Sequence, residues 1–330
     1  MIGSTNSRIV VTLARHEYRA AARNRVLAAL VLVLVAITTV SVLIGAIDYH
    51  SQVADYQRYV AAARSSGVTQ TAPLPLQVLS LLRGAFEYLE IIGAIIAIVL
   101  GYMSIARERT SNTLMLLQTR PITSMQRALG SALGALAIIA TLLLVTGAIA
   151  VLCLGVIGGD WLAPPELLKL TLALLATIPY MGAFYCLGVV LTAHARSLSN
   201  GLMAALVIWL AVVLIIPQVG DTMDPDNQVP GGLFQSLGVD KPTELKVLAK
   251  FTTYEKVRND LEEASLAKHY ERFTFGMTDV KDKYRGFTLT HLLHEKRNDI
   301  AWLAAYMLVL GAALHRSYQR QPALPRGGTP

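Results

Sequence analysis

The sequence predicts an all-α polytopic membrane protein with six transmembrane helices. Hydrophobic residues make up 54% of the 330 residues and charged residues only 15%, whereas soluble domains carry roughly 25% charged residues. The apolar residues form six runs long enough to cross a bilayer as helices. Most Lys and Arg residues lie beside these runs, where they orient a chain in a membrane. The net charge of +7 therefore does not indicate a nucleic-acid partner.

The six predicted spans are bounded by polar residues, glycines or prolines. They cover residues 26–47, 86–105, 128–157, 167–191, 202–216 and 300–315. Pro217 is expected to end the fifth span, because proline lacks the N–H that a helix interior needs. The predicted outer loop at 48–82 has a helix-like first half, and Pro73 and Pro75 break its second half. Basic residues in the short segments place both termini in the cytoplasm of a multi-pass protein of the cytoplasmic (inner) membrane.

Residues 1–25 predict an amphipathic helix in front of the first span. Arg15, Arg19 and Arg23 recur every four residues, so they line one side of a helix, and Ile9 and Leu13 belong to an apolar patch. Such a helix lies in the headgroup plane with its arginines facing anionic lipid. The alternative is an ordinary positive flank of the first span.

A short polar hairpin at 106–127 separates the second and third spans. Ser111 or Asn112 can cap a helix start, and Pro121 stops that short helix. The helix would carry an apolar face formed by Leu114, Leu116 and Leu117. A water-facing hairpin has no reason to show three leucines unless another protein covers them. Thr123 and Gln126 then have the spacing of a capping box, which opens the next helix.

The segment 218–299 is long, charged and proline-rich at its start. Residues 241–272 predict a helix, and residues 290–297 predict another that runs into the last span. We expect a small helical extracytoplasmic cap between the fifth and sixth spans, with residues 300–330 forming the sixth span and a cytoplasmic tail.

The sequence contains no G-x-x-x-x-G-K-[ST] motif, so the chain does not bind ATP by that route. We therefore expect no catalytic, cofactor-binding or metal-binding residue in it. The chain thus has a predicted cytoplasmic hairpin with exposed leucines but no ATP-binding motif of its own. Both features fit a membrane protein that binds a separate ATPase through this hairpin.

The run at 108–130, ERTSNTLMLLQTRPITSMQRALG, resembles the signature of ABC-2 type exporter permeases. That signature has a Glu, a Gly-Thr-Leu, a Leu-Leu, a Pro and a Gly-Lys at this spacing. Here Asn112 stands in place of the glycine and Ser131 in place of the lysine, and the outer segment is large. Residues 14–25 resemble the interfacial helix of the same family, and in particular the copper-enzyme maturation (nitrous-oxide reductase accessory) branch.

The resemblance implies the permease subunit of an ABC exporter. Such a permease dimerises, as a homodimer or heterodimer, and docks two cytoplasmic ABC ATPase subunits, which hold the ATP and Mg, through a coupling hairpin. ATP-driven closure of those subunits would shift the spans between inward-facing and outward-facing arrangements. The residues assigned to docking are Glu108, Thr113, Leu114, Leu117 and Pro121, with a plain structured loop as the alternative. Those assigned to the interfacial helix are Arg15, Glu17, Arg19 and Arg23.

Other residues have two interpretations each. Gly130 and Gly134 allow close helix approach, either as a seam that moves during transport or as routine packing. Glu87 and Glu90 could mark a translocation path or simply reach water near the interface. Tyr180, Met181, Tyr185 and Cys186 could line a route or pack the bundle. His269, His291 and His294 could bind copper or zinc, but a solvated helix face is the preferred interpretation.

Two further functions compete with the exporter. One is a non-transporting membrane scaffold whose extracytoplasmic segment recruits a partner protein. The other is a secondary transporter, which is disfavoured because the two halves show no matching pair of broken helices. The spans contain few central charges, which suits an amphipathic or apolar cargo.

Overall fold

The computed structural model describes residues 2–66, 77–110, 122–159, 161–223, 233–280, 284 and 286–320. Within these ranges every regular element is a helix, which confirms the all-α fold class. The α-helices are α1 Ile2–Ala22, α2 Arg25–Ser66, α3 Arg83–Tyr88, α4 Ala94–Thr110, α5 Ser124–Val156, α6 Pro164–His194, α7 Leu198–Trp209, α8 Ile216–Met223, α9 Leu233–Ser236, α10 Lys241–Leu248, α11 Thr252–Glu263, α12 Leu266–Met277, α13 Leu289–Glu295 and α14 Arg297–Arg320.

Six helical stretches in the described ranges are long and apolar enough to cross a membrane, as predicted. Spans 1 to 6 are Arg25–Ala63, Val78–Arg109, Ser124–Val156, Pro164–His194, Leu198–Gly220 and Arg297–Gln319. Span 1 is longer than expected because the helix-like residues 48–63 continue α2 to Ser66 without a break. Pro73 and Pro75 lie outside the described residues.

Spans 2 and 4 form the centre of the bundle. In the most apolar stretch of span 2, 67% of the residues are buried inside the protein, against 11% in span 5. The two central helices approach backbone to backbone, because a Cβ added to Gly188 would lie 2.5 Å from the carbonyl oxygen of Ile98. Gly101 faces the backbone of Tyr185 in the same way. Small residues at the contact permit this approach.

Span 5 does not end at Pro217, and that prediction is wrong. A π-helical turn, Leu210–Ile215, precedes the proline, and the helix continues as α8 to Met223. In this turn the Ile216 N–H donates to the Ala211 carbonyl, five residues back. Pro217 has no N–H for the next carbonyl in that pattern, Val212, which instead accepts a hydrogen bond from Ser265 Oγ at 3.3 Å. A side chain from another helix thus replaces the missing donor, as in other proline-containing membrane helices.

The predicted helix at 241–272 is interrupted twice, so its continuity was wrong. A 3₁₀ turn, Ala249–Phe251, separates α10 from α11, and a turn at Ala264 and Ser265 separates α11 from α12. Ser265 is extended and its hydroxyl accepts the Lys268 N–H, which caps α12. Similarly, the segment at 290–297 does not run directly into the last span, because Lys296 separates α13 from α14.

Helix α12 packs among the spans rather than standing apart from them. It contacts spans 4 and 6 and the first part of span 2, and ten of its twelve residues are buried. The turn before it reaches the middle of span 5 through Ser265 and the side of span 6 through Tyr306, whose hydroxyl donates to the Ala264 carbonyl at 2.8 Å. We call α12 with this preceding turn, residues 264–277, the α12 wedge.

Candidate functional site

The two ends of the predicted hairpin are joined by a largely buried ion pair. Arg127 Nη2, at the start of span 3, lies 2.7 Å from Glu108 Oε2, at the end of span 2. Their side chains are only 11% and 15% exposed. The Arg127 guanidinium also lies over the ring of Tyr318 in span 6, 5.3 Å from its centroid. The pair therefore links spans 2, 3 and 6 where the hairpin leaves the bundle, a region of residues 107–109 and 126–127 that we call the hairpin root.

Arg109 ties the hairpin root to the end of span 4. Its Nη2 donates to the Ala193 carbonyl at 2.6 Å and its Nη1 to the Ala195 carbonyl at 3.2 Å. Carbonyls at a helix C-terminus lack partners within the helix, and a cation there is favoured by the helix dipole. The guanidinium thus fixes the hairpin against the turn between spans 4 and 5.

Arg107 ties the hairpin root to α1. Its Nη2 pairs with Glu17 Oε2, and Ser104 Oγ donates to the same oxygen at 3.3 Å. Glu17 faces the protein, whereas Arg15, Arg19 and Arg23 are exposed. Arg15 and Arg19 therefore make the exposed side of α1 basic, whereas Arg23 lies just beyond the end of this helix at Ala22. The contact of α1 with lipid stays a prediction.

The glycine pair of span 3 lies against α1. A Cβ added to Gly130 would lie 2.5 Å from Leu13 Cβ, and one added to Gly134 would lie 2.5 Å from Glu17 Cβ and 2.8 Å from the Ala14 carbonyl oxygen. The absence of side chains at these two positions is what lets α1 lie against span 3. The sequence predicted a packing seam here without indicating its partner helix.

The capping box at the start of span 3 is confirmed. Thr123 Oγ1 accepts the Gln126 N–H at 3.2 Å, and Gln126 Oε1 accepts the Thr123 N–H at 2.9 Å. The tip of the hairpin lies outside the described residues. It includes four residues assigned to docking and the three residues that shape the predicted short helix with them: Ser111, Asn112, Thr113, Leu114, Leu116, Leu117 and Pro121.

The two acids of span 2 occupy different environments. Glu87 accepts a hydrogen bond from Arg83 Nε at 2.7 Å, and both side chains are substantially exposed. Glu90 is only 9% exposed and lies in a π-helical turn, Leu89–Gly93. Its carbonyl accepts the Tyr180 hydroxyl at 2.9 Å. A part in translocation stays a prediction for both, and the structure brings only Glu90 into the bundle interior.

Two tyrosines join the α12 wedge to the bundle centre. The rings of Tyr270 and Tyr180 stack with centroids 4.3 Å apart, and the Tyr270 hydroxyl lies 3.1 Å from Thr177 Oγ1 in span 4. Farther along span 4, Lys169 Nζ lies 2.7 Å from Asp279 Oδ2. Tyr180, Met181, Tyr185 and Cys186 are all buried, which favours the packing interpretation of these four residues.

His269 anchors the wedge to span 6. Its Nδ1 lies 2.9 Å from Asp299 Oδ1 and its Nε2 lies 2.9 Å from the Glu263 carbonyl oxygen. Both ring nitrogens of this buried imidazole therefore have an oxygen of another residue within hydrogen-bond distance. The ring also stacks on Trp302 at 5.4 Å. His291, by contrast, is exposed. His294 is exposed as well, so the three histidines considered as metal ligands do not share one environment.

An ion-pair cluster lies next to His269 at the start of the α12 wedge. Arg272 Nη2 lies 2.5 Å from Glu262 Oε2 and its Nη1 lies 2.8 Å from Glu263 Oε1. Burial alone would lower the pKa of Arg272, but the two carboxylates outweigh it and raise the pKa above its usual value. The guanidinium thus holds the end of α11 against α12 across the turn that joins them.

The family comparison agrees with this architecture. The sequence pattern of ABC-2 family transporter proteins matches residues 11–321, which is most of the chain. The chain belongs to the ABC-2 family. A search of curated proteins finds no match. As an ABC-2 permease the chain is a membrane transport component that is not itself catalytic, and the family implies cooperation with an ABC ATPase. This confirms the family resemblance, whereas the copper-enzyme maturation branch stays a prediction.

Sequence reasoning missed several residues of this site. Arg127 carries a recognisable signal, since it lies one turn inside span 3 and opposite the acid that closes span 2. Ser265 has a weaker one: a proline within an apolar run needs a donor from elsewhere. No local pattern indicates the pairing of Tyr270 with Tyr180 or of His269 with Asp299, because each joins residues far apart in the chain.

Proposed function

We propose that this chain is the permease subunit of an ABC exporter in the cytoplasmic (inner) membrane, coupled to separate ATPase subunits through the hairpin at 106–127. The permease dimerises, and each copy docks one ATPase, which supplies the ATP and Mg. Both termini and the hairpin lie in the cytoplasm. Helix α1 is the interfacial helix, and the segment between spans 5 and 6 is the extracytoplasmic part.

The hairpin root is the observation that supports this proposal. Glu108, Arg109 and Arg107 connect the end of span 2 to span 3, to the end of span 4 and to α1. A force applied to the hairpin would therefore act on several spans at once. A loop that only connects two spans does not need side-chain contacts to three other helices. An element that transmits a conformational change of an ATPase to the spans does need them.

The chemistry of the hairpin tip suits docking. Leu114 and Leu117 supply apolar anchors that would be covered in the complex, and Thr113 and Pro121 are assigned to the same docking surface. Apolar anchors near the centre of an interface carry much of its binding energy. Closure of two ATPases would draw two hairpins together, and the α12 wedge would have to shift as spans 4, 5 and 6 move around it.

Co-purification with candidate ATPases from the same cell tests this proposal. The docking variant is Leu114→Asp/Leu117→Asp, and the matched control is Leu237→Asp/Phe251→Asp, which adds the same charge at two exposed positions of the 218–299 segment. We expect an ATPase to copurify with the wild type and with the control and to be lost from the docking variant. Equal recovery of the ATPase with the docking variant would contradict docking through these leucines.

The same experiment separates the exporter from the scaffold. A scaffold would copurify with a membrane or extracytoplasmic protein, bind no ATPase, and lose its partner in Leu237→Asp/Phe251→Asp. That result would replace the exporter proposal with the scaffold.

A further inference from the structure

A groove of about 510 Å³ lies between the α1–α2 junction and span 3. We call it the α1–α2 groove. Its volume falls within the range of roughly 300–1,000 Å³ that ligand sites occupy. Its walls include Tyr18, Ala22, Leu27, Val31, Ile138 and Thr141. It does not belong to the hairpin root or to the α12 wedge.

The lining of the groove fits a hydrocarbon chain. Except for Tyr18 and Thr141, every lining residue is Ala, Val, Leu or Ile. The two exceptions lie with their hydroxyls 3.3 Å apart, within hydrogen-bond distance of each other. Along α2 the lining extends from Leu27 to Ala36, which at 1.5 Å per residue is about 14 Å. The groove is therefore long, apolar and parallel to the membrane-spanning part of α2.

Three exposed arginines lie at the corner between α1 and α2, next in sequence to residues that line the groove. Arg19, Arg23 and Arg25 are exposed and lie in sequence between the lining residues Tyr18 and Leu27. The only acidic residue among the first 47 is Glu17, and its carboxylate forms an ion pair with Arg107. The arginines are held at a defined corner, because Asn24 Oδ1 caps α2 by accepting the Leu27 N–H at 3.0 Å.

From this combination we infer that the α1–α2 groove binds one anionic phospholipid from the leaflet on the hairpin side. An acyl chain fills the apolar groove, and the phosphate lies against the arginines of the corner. A second copy of this chain fits the groove less well, since a symmetric contact would bring two basic corners together. The inference does not depend on ATPase docking. The lipid would hold the end of α1 against span 3 at Ile138 and Thr141, beginning about one helical turn beyond Gly134 of the glycine seam.

Native mass spectrometry of the full chain, released from bilayers of equal parts phosphatidylglycerol and phosphatidylcholine, tests this inference. We expect one phosphatidylglycerol per chain to be retained by the wild type. In Arg23→Gln/Arg25→Gln the retained fraction should fall about twenty-five-fold, because each arginine near a membrane surface contributes about fivefold. Arg8→Gln/Arg316→Gln removes the same charge at exposed positions away from the groove and should leave retention unchanged.

A second pair of variants tests the groove itself. Ala28 lines the groove and is exposed, whereas the neighbouring Ala29 is exposed but does not line it. Ala28→Phe should abolish retention, and Ala29→Phe should not. Equal retention of both lipids, or unchanged retention in Ala28→Phe, would overturn the inference. A disulfide between two copies of Ala28→Cys that excludes the lipid would also overturn it and assign the groove to a protomer interface.

Discussion

The two ends of the bundle hold their helices together by different means. At the hairpin root, long charged side chains reach between helix ends, as in the pair of Glu108 and Arg127. At the other end a short helix enters the bundle, and its aromatic and small polar groups contact the middle of several spans, as Tyr270 contacts Tyr180. Ion pairs between helix ends can break and form again with new partners when the helices move. The α12 wedge is buried and closely packed, so it has to move as one rigid unit.

Span 4 takes part in both arrangements. Arg109 binds the carbonyls at its last turn, and the wedge contacts it through Thr177 and Tyr180. A displacement of the hairpin would therefore reach the wedge along one continuous helix. We expect the contacts of the α12 wedge to contribute more to the free energy of unfolding than those of the hairpin root. The following variants test this difference.

The largest effect is expected for His269→Ala in the wedge. The substitution removes a fully buried ring that stacks on Trp302 and its hydrogen-bond contact with Asp299. The lost packing and the lost bond together should cost about 3–5 kcal/mol. Denaturant titration in mixed micelles measures the free energy of unfolding. His291→Ala, at an exposed position, is the control and should change it by less than about 0.5 kcal/mol. Similar losses for both variants would contradict the structure of the anchor.

A smaller loss is expected for Glu108→Gln at the hairpin root. The pair is mostly but not fully buried, so water moderates the cost to about 2 kcal/mol. The control is Glu87→Gln, whose partner Arg83 is 62% exposed, and an exposed pair contributes at most about 1 kcal/mol. The same titration compares the two. If Glu108→Gln proved as costly as His269→Ala, the contrast between the two ends would be wrong.

Gly134→Ala is expected to cost about 1–2 kcal/mol. The added methyl group would meet Glu17 Cβ and the Ala14 carbonyl, and overpacking of about 1–3 kcal/mol is partly offset by the better helix propensity of alanine. Gly311→Ala in span 6, where nothing lies within 4 Å of the added atom, should be neutral or stabilising. Trypsin cleavage at Arg15 and Arg19 should accelerate only in Gly134→Ala. Unchanged cleavage would show that α1 does not lie against this seam.

The smallest effect is expected for the contact of Ser265 with span 5. Ser265→Ala removes the hydrogen bond to the Val212 carbonyl and should cost about 1 kcal/mol more in the native background than in a Pro217→Ala background. Alanine at 217 restores an N–H that can serve the same carbonyl. A double-mutant cycle measures this difference and cancels the loss of the α12 cap. A coupling energy of zero would mean that the proline and the serine act independently.

The sequence was sufficient for features that depend on local pattern. Six apolar runs predicted six spans, and the spacing of Thr123 and Gln126 predicted a capping box that the structure contains. Local rules failed where a distant residue intervenes. Pro217 does not end span 5 because Ser265 replaces its missing donor, and the wedge could not be predicted because its apolar face is matched to spans far away in the chain. The docking tip, from Thr113 to Pro121, still rests on sequence and family alone.

Photo-cross-linking from position 114 tests the central claim most directly. A benzophenone amino acid replaces Leu114 in the intact chain, and a second protein carries it in place of Leu237 as the control. The account predicts an adduct between position 114 and an ABC ATPase, and none from position 237. An ATPase adduct from position 237 alone, or an adduct from position 114 with a protein that has no ATP-binding motif, would contradict the claim that the hairpin docks the motor.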